Sequence, residues 1–323
     1  MRAFHIVSAG ADPALCELPT PQPAAGELRL RIGACGLNFA DLLMTSGEYQ
    51  DTPEAPFTLG MEVAGTVDAL GPGVKGPAIG TRVAVFGGQG GLAEMGCFPA
   101  ERAVPLPDSM NDIDAAALQI AYGTSHVALA HRARLQPGET LLVLGAAGGV
   151  GLTAVEIGKL MGARVIACAR GSEKLAVAKQ AGADHVIDAR TEDIRGVCKS
   201  LGGVDVVYDP VGGEQFDAAF RATNPEGRLL TIGFASGTVP QIKANHLLVK
   251  NLSVMGLYWG GYLKFRPSVV TDSLSTLFGW YEAGRLKPHV SHVLPLDQAA
   301  EALELLRSRK STGKVVVTPH SSG

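Results

Sequence analysis

The stretch LLVLGAAGGVGLTAVEIG (141–158) constrains the fold more than any other part of this 323-residue chain. It passes from an apolar run through a glycine turn into helical spacing. Ala146, Gly148 and Gly151 fill the three small-residue positions of GxGxxG, with alanine in the first. Each position answers a steric demand: a tight turn out of a strand, close approach of backbone to a pyrophosphate, and close packing of helix on strand. An anion at such a turn rests on the N–H groups of the helix N-terminus, where the dipole favours negative charge. A glycine-rich turn with no ligand would look the same in isolation. The strand before it, the helix after it and the repeated alternation beyond it favour a dinucleotide site.

That alternation runs from about residue 119 to 256. Apolar runs at 141–145, 163–169, 184–188, 204–209, 227–233 and 252–256 are separated, for the most part, by helical patterns at 149–162, 172–182, 191–202 and 213–223. Six such strands predict an α/β fold with a doubly wound, six-stranded parallel sheet of Rossmann type. Residues 1–118 read instead as β-rich, with strands at 27–34, 62–71 and 81–86 broken by Gly and Pro turns. The elements after 257 are too few for a domain of their own: a helix near 267–284, a strand at 288–294, a helix at 297–309 and a last strand at 313–319. They are expected to complete the first domain, giving 1–118 with 257–323 and, between them, 119–256.

The second strand of the parallel sheet, ARVIACA (163–169), tests which dinucleotide binds. A ribose 2′-OH calls for an Asp or Glu at its end. None is present, and the chain continues Arg170, Gly171, Ser172, Glu173, Lys174. Arg170, Ser172 and Lys174 suit a 2′-phosphate by charge and hydrogen bonding, which favours NADPH over NADH. The plainer alternative is an exposed helix start with Ser172 as N-cap.

Composition removes other classes. Net charge is −3 and the basic residues are scattered, so nucleic acid is not an expected partner. No apolar run reaches the length of a membrane helix or a signal peptide. The five cysteines, at 16, 35, 97, 168 and 198, show no CxxC spacing, which argues against a disulfide framework or a cysteine-rich zinc lobe. A reduced cytoplasmic enzyme is the expectation.

The motifs GLNFADLLMTSGEY (36–49), GMEVAGTVDALG (60–71), LGAAGGVGLTAVEIGKLMGARV (144–165), GADHVID (182–188), VVYDPVGG (206–213), LLTIGFASG (229–237), NLSVMGLYWGGY (251–262) and STGKVVV (311–317) span nearly the whole chain. Through them the sequence resembles the medium-chain dehydrogenase/reductase superfamily, and within it the zinc-free NADPH:quinone oxidoreductases of the zeta-crystallin type. The resemblance implies a GroES-like catalytic domain beside the Rossmann domain. It also implies NADPH bound in a cleft between domains, a quinone or other conjugated carbonyl as substrate, and a homodimer. Its cofactor contacts carry over to Asn38, Thr124, Ala147, Gly148, Gly149, Val150, Lys174, Val211, Phe234 and Tyr258. A tyrosine that related reductases carry just past the third strand is missing from Asp188-Ala189-Arg190, which leaves Arg190 as a phosphate contact.

The resemblance also bears on metal. Where zinc enzymes of the superfamily have a ligand cysteine this chain has Asn38, and Met61 replaces a ligand histidine. Neither residue restores what zinc requires, so no metal is expected. Cys35 reads as strand-end packing. His289 and His292 lie three apart on a strand, and His126 and His131 five apart on a helix, both poor chelating offsets. His5, His185, His246 and His320 are isolated. STGKV (311–315) echoes the end of a phosphate loop without its glycine or the hydroxyl after Lys314, and is set aside.

With no metal, the oxyanion formed as hydride arrives needs hydrogen-bond donors. Asn38 and Tyr49 are the candidate catalytic residues: an amide that donates without titrating and a phenol that can donate its O–H. Bracing the loop and packing at a rim on Pro56 and Phe57 are the plainer roles. Asp41 and Glu62 read better as structural hydrogen-bond or ion-pair partners than as acids. Tyr258, Trp259 and Tyr262 could line an apolar pocket or fill an interface. A 2-enoyl-thioester or alkenal reductase, with Tyr49 as proton donor, is the alternative enzyme. An NADPH-binding structural protein is the alternative outside catalysis.

Overall fold

A computed structural model describes residues 1–319; His320 lies outside them. The chain divides into two compact units, residues 1–120 with 287–323, and 121–286.

The first unit is built on two sheets. β1 (Arg2–Ile6) pairs antiparallel with β2 (Ala14–Glu17) and with the short β4 (Phe57–Thr58). The larger sheet is organised on the long strand β3 (Glu27–Leu37), whose alternate residues Leu28, Leu30 and Ile32 are buried. Its order is β15-β16-β3-β5-β6-β8, with β7 also pairing β3. The strands are β5 (Glu62–Leu70), β6 (Arg82–Phe86), β7 (Met95–Pro99), β8 (Ala103–Pro105), β15 (Val290–Pro295) and β16 (Lys314–Thr318). The last strand is therefore inserted beside β3, with Val315 opposite Leu37, while Gly36 on the other side of β3 pairs with Glu62. Helix α1 (Phe39–Thr45) follows β3 directly, and α2 (Asp112–His126) follows β8.

The second unit holds β9 (Thr140–Val143), β10 (Arg164–Ala169), β11 (His185–Asp188), β12 (Val204–Asp209), β13 (Thr223–Thr231) and β14 (Ser253–Gly256) in one six-stranded sheet. The order is β11-β10-β9-β12-β13-β14 and every pairing is parallel. Helices α3 (Gly149–Leu160), α4 (Ser172–Gln180), α5 (Ile194–Ser200), α6 (Gly213–Ala222) and α7 (Ala244–Lys250) provide the connections. The sheet is the doubly wound Rossmann arrangement expected from the alternation. Chain order reverses between β9 and β12, the switch point beyond whose carboxyl ends such sheets bind ligands.

The unit boundaries differ from those expected. Residues 257–286, with helices α8 (Trp259–Phe265) and α9 (Pro267–Glu282), belong to the second unit, and only β15, α10 (Ala299–Arg307) and β16 return to the first. The reason is packing. Helix α9 buries Val270, Leu274, Leu277 and Phe278, and Ser273 Oγ lies 2.8 Å from His126 Nδ1 in the same unit.

Candidate functional site

The first cluster of interest lies where β16, β3 and β5 come side by side. Asn38 caps α1 in extended conformation (φ −132°, ψ 159°). Its backbone N–H donates to Asp41 Oδ2 at 2.8 Å, closing a capping box. Its side-chain Nδ2 donates to Glu62 Oε1 at 2.9 Å and, more weakly, to the Gly36 carbonyl at 3.4 Å. Its Oδ1 accepts from Lys314 Nζ at 2.8 Å.

Lys314 is the residue sequence reasoning missed. Its ammonium also donates to the Leu37 carbonyl at 2.8 Å and to Glu62 Oε1 at 2.7 Å, so all three N–H bonds are used. The Lys314 and Glu62 side chains are 3% and 0% exposed. Glu62 Oε2 takes the Ile120 backbone N–H at 2.8 Å, which completes the satisfaction of that carboxylate. A lysine opening the run KVVVT was the available signal, since a buried cation needs a partner. Its partners lie far away in sequence, where spacing is silent.

Glu62 and Asp41 thus serve as structural partners. Asp41 is fully buried. Burial pushes its carboxyl up to about 7, against the pull of the Asn38 N–H and the Lys314 ammonium. Cys35 is buried in β3 and its thiol is pushed up by burial, so it packs rather than reacts. Tyr49 is half-buried against the core cluster that contains Phe57. Met61 is buried in the same core. No group of three or more His, Cys, Asp or Glu side chains converges among the described residues.

The second cluster is the turn between β9 and α3. Gly148 is the N-cap of α3 and offers no side chain to the first helical N–H groups, which remain open to an anion. The two glycines of the motif differ in their surroundings. A Cβ on Gly148 would meet only the Gly145 carbonyl, at 3.4 Å, whereas one on Gly151 would lie 2.2 Å from that oxygen. Gly151 therefore sets helix packing, and Gly148 keeps the approach clear. Ala147 is buried, while Gly149 and Val150 are half-exposed. Behind the turn, Ser125 Oγ reaches the Val150 carbonyl at 2.9 Å, Thr153 Oγ1 at 2.7 Å and the Tyr208 hydroxyl at 3.0 Å. This brace was not foreseen. Thr124, one residue earlier, is nearly buried.

Across the switch point, buried Asp209 accepts the N–H groups of Val211 (2.7 Å) and Gly212 (2.9 Å), fixing the turn after β12. Phe234 and Tyr258 are more exposed, at 40% and 37%. Trp259 and Tyr262 are buried within the second unit. Trp259 lies against Gly123, and the Tyr262 ring meets Phe265 and His131.

Beyond β10 the chain turns at Gly171 (φ +83°), which caps α4; Ser172 is the first helical residue and not the cap. The turn needs a positive φ, which glycine adopts without penalty. Arg170 and Arg190 are exposed here, and a Cβ on Gly171 would come within 3.3 Å of Arg190 Nη1. Lys174 is half-buried in the first turn of α4. A carboxylate does reach this turn, from β11: Asp188 Oδ1 accepts the N–H groups of Arg190 (3.0 Å) and Gly171 (3.2 Å), and these bonds hold it below the usual carboxylate range.

Comparison with known proteins agrees with this geometry. Residues 24–108 match a family model described as alcohol dehydrogenase GroES-like domain, and residues 181–317 one described as zinc-binding dehydrogenase. The quinone oxidoreductase-like protein 2 homolog of Nematostella vectensis is 40% identical over 304 residues, 92% of this chain and 83% of that protein. The solved quinone oxidoreductase of Thermus thermophilus, known also in complex with NADPH, superposes with a TM-score of 0.87 at 35% identity, over 98% of this chain and 100% of that one. The Escherichia coli quinone oxidoreductase complexed with NADPH gives 0.89 at 30% identity, over 98% and 99%. The chain belongs to the medium-chain dehydrogenase/reductase superfamily of oxidoreductases, in its quinone oxidoreductase branch.

Proposed function

We propose that this protein is an NADPH-dependent reductase that delivers hydride to a quinone or a related conjugated carbonyl without a metal. NADPH is the cofactor. The observation that carries the reading is the second unit's paired binding geometry: an uncapped α3 N-terminus behind Gly148, and a turn at Gly171 flanked by Arg170 and Arg190. The first suits a pyrophosphate. The second suits a 2′-phosphate, because the guanidinium groups offer paired donors and β10 ends without a carboxylate.

The cofactor supplies the hydride; the chain's own residues bind, orient and donate hydrogen bonds. Open N–H groups at Gly149 and Val150 take the pyrophosphate. Lys174 adds charge at the adenosine end, and Val211, Phe234 and Tyr258 provide apolar and aromatic surface. In the first unit the Asn38 amide and the Tyr49 hydroxyl are the donors toward electrophile oxygen or nicotinamide amide. Tyr49 as an obligatory proton donor would instead mark an enoyl reductase. A homodimer is the expected assembly.

Four measurements check this reading. Purified protein should accelerate NADPH oxidation by at least one member of a quinone and enone panel, and no acceleration by any of them would remove the enzyme readings. Tyr49→Phe should cost a quinone reductase less than about tenfold in kcat, and an enoyl reductase most of its rate. Arg170→Ala with Arg190→Ala should weaken NADPH far more than NADH, and an equal effect on both would contradict 2′-phosphate recognition. The two motif glycines separate in the same assay. Gly148→Ala should keep the parent melting temperature and raise the NADPH Kd about tenfold, whereas Gly151→Ala should lower the melting temperature itself.

A further inference from the structure

We infer that Lys314 is a positioning residue for the reaction, its ammonium fixing which way round the Asn38 amide is held. This inference rests on the reductase reading above, and it goes beyond that reading by assigning work to a residue of the last strand. Lysine can only donate, so Asn38 must turn Oδ1 toward Nζ, as it does at 2.8 Å. The Glu62 carboxylate can only accept, so it must face Nδ2, as it does at 2.9 Å. The two charges enforce one amide orientation from opposite sides, and they also pair with each other at 2.7 Å.

This orientation leaves one Nδ2–H held only by the Gly36 carbonyl at 3.4 Å, too long for a strong bond. Asn38 is half-exposed while its two charged partners are buried. The cluster therefore holds a preoriented, non-titrating N–H donor with only the weak Gly36 bond to give up, which keeps reorganisation small when an oxygen arrives. The flipped amide would present an acceptor and repel that oxygen. The third Lys314 bond, to the Leu37 carbonyl, fixes the backbone just before Asn38.

The partners can be separated by substitution. In Glu62→Gln, Lys314 keeps its bond to Asn38 Oδ1, although its ammonium loses the counter-charge and the variant melts below the parent. In Lys314→Met with Glu62→Gln, both charges of the pair are gone and neither is left buried without its partner. The glutamine amide then present at position 62 accepts either orientation of Asn38. Melting temperature, NADPH Kd by fluorescence and turnover with p-benzoquinone and 9,10-phenanthrenequinone are measured together. Turnover is expected to follow the Lys314–Asn38 bond and not stability: within about tenfold of the parent in Glu62→Gln, and down about 100-fold in the double variant at near-unchanged NADPH Kd. A double variant with parent-like turnover would overturn the assignment.

A measurement on the unsubstituted protein holds even if the double variant fails to fold. Adding NADPH should shift the NMR signals of the Gly148 backbone amide and of the Asn38 side-chain amide. Movement of Gly148 with an unmoved Asn38 overturns the role of Lys314 and leaves the cofactor reading standing. No movement at either overturns both.

Discussion

Replacing Lys314 with Met should lower the unfolding free energy by about 3–5 kcal/mol, the cost of leaving a buried charge without its partner. The prediction rests on burial. Glu62 is fully enclosed, and Lys314 Nζ at 2.7 Å is the cation that compensates it. Met reproduces the length and shape of the lysine stem, so packing is nearly conserved and the effect is electrostatic. Urea denaturation of the single variant, set against Lys314→Met with Glu62→Gln, separates the two contributions. The double variant should recover most of the loss, because replacing both members of a buried pair is commonly close to neutral. A single variant that melts like the parent would show that Glu62 finds compensation elsewhere.

The second large effect is a pH dependence located at Asp41. Its folded carboxyl lies near 7, against a reference value of 3.8. A raised value means the folded state holds the proton more tightly. The contribution to stability is then fully present below 3.8 and is lost as pH rises through about 7. Over that window the loss amounts to roughly 4 kcal/mol. Asp41→Asn keeps an oxygen to accept the Asn38 N–H and removes the titration. It should therefore gain on the parent between about pH 4 and 7, then run parallel above. Thermal melts of both proteins across that range check the sign. A constant difference between them would place the buried proton elsewhere.

Much of this architecture could be read from residue order, because its signals are local. Six apolar runs separated by helical spacing gave the parallel sheet, and the glycine pattern marked the turn after β9. The reading of Asp41 as a structural partner came from its place at a helix start, and that of Glu62 from its place just after Met61, where a ligand histidine is lost. What escaped depended on distance or on backbone angle. Lys314 meets Asn38 and Glu62 across 276 and 252 residues, and no spacing rule relates them. The cap at Gly171 depends on a positive φ that the neighbouring serine obscured. The boundary at 286 was set by the face that α9 buries, which periodicity reveals without saying what covers it. Asn38 was singled out because a ligand type was missing there. The structure adds that its amide already holds two charged neighbours, so any donor role uses the hydrogen left over.

The return of β16 to pair with β3 also has a meaning in time. The second unit occupies one uninterrupted run of chain, so all its strands are present once residue 286 has been made. The first unit has no such moment until β16 has been made. During synthesis at about 5–20 residues per second, Glu62 must wait 252 residues for its cation. Through that interval the edge of β3 that will receive β16 is without its strand. The order of maturation is thereby built into the topology: the second unit can fold first, and the unit that carries Asn38 is completed only when β16 has been translated.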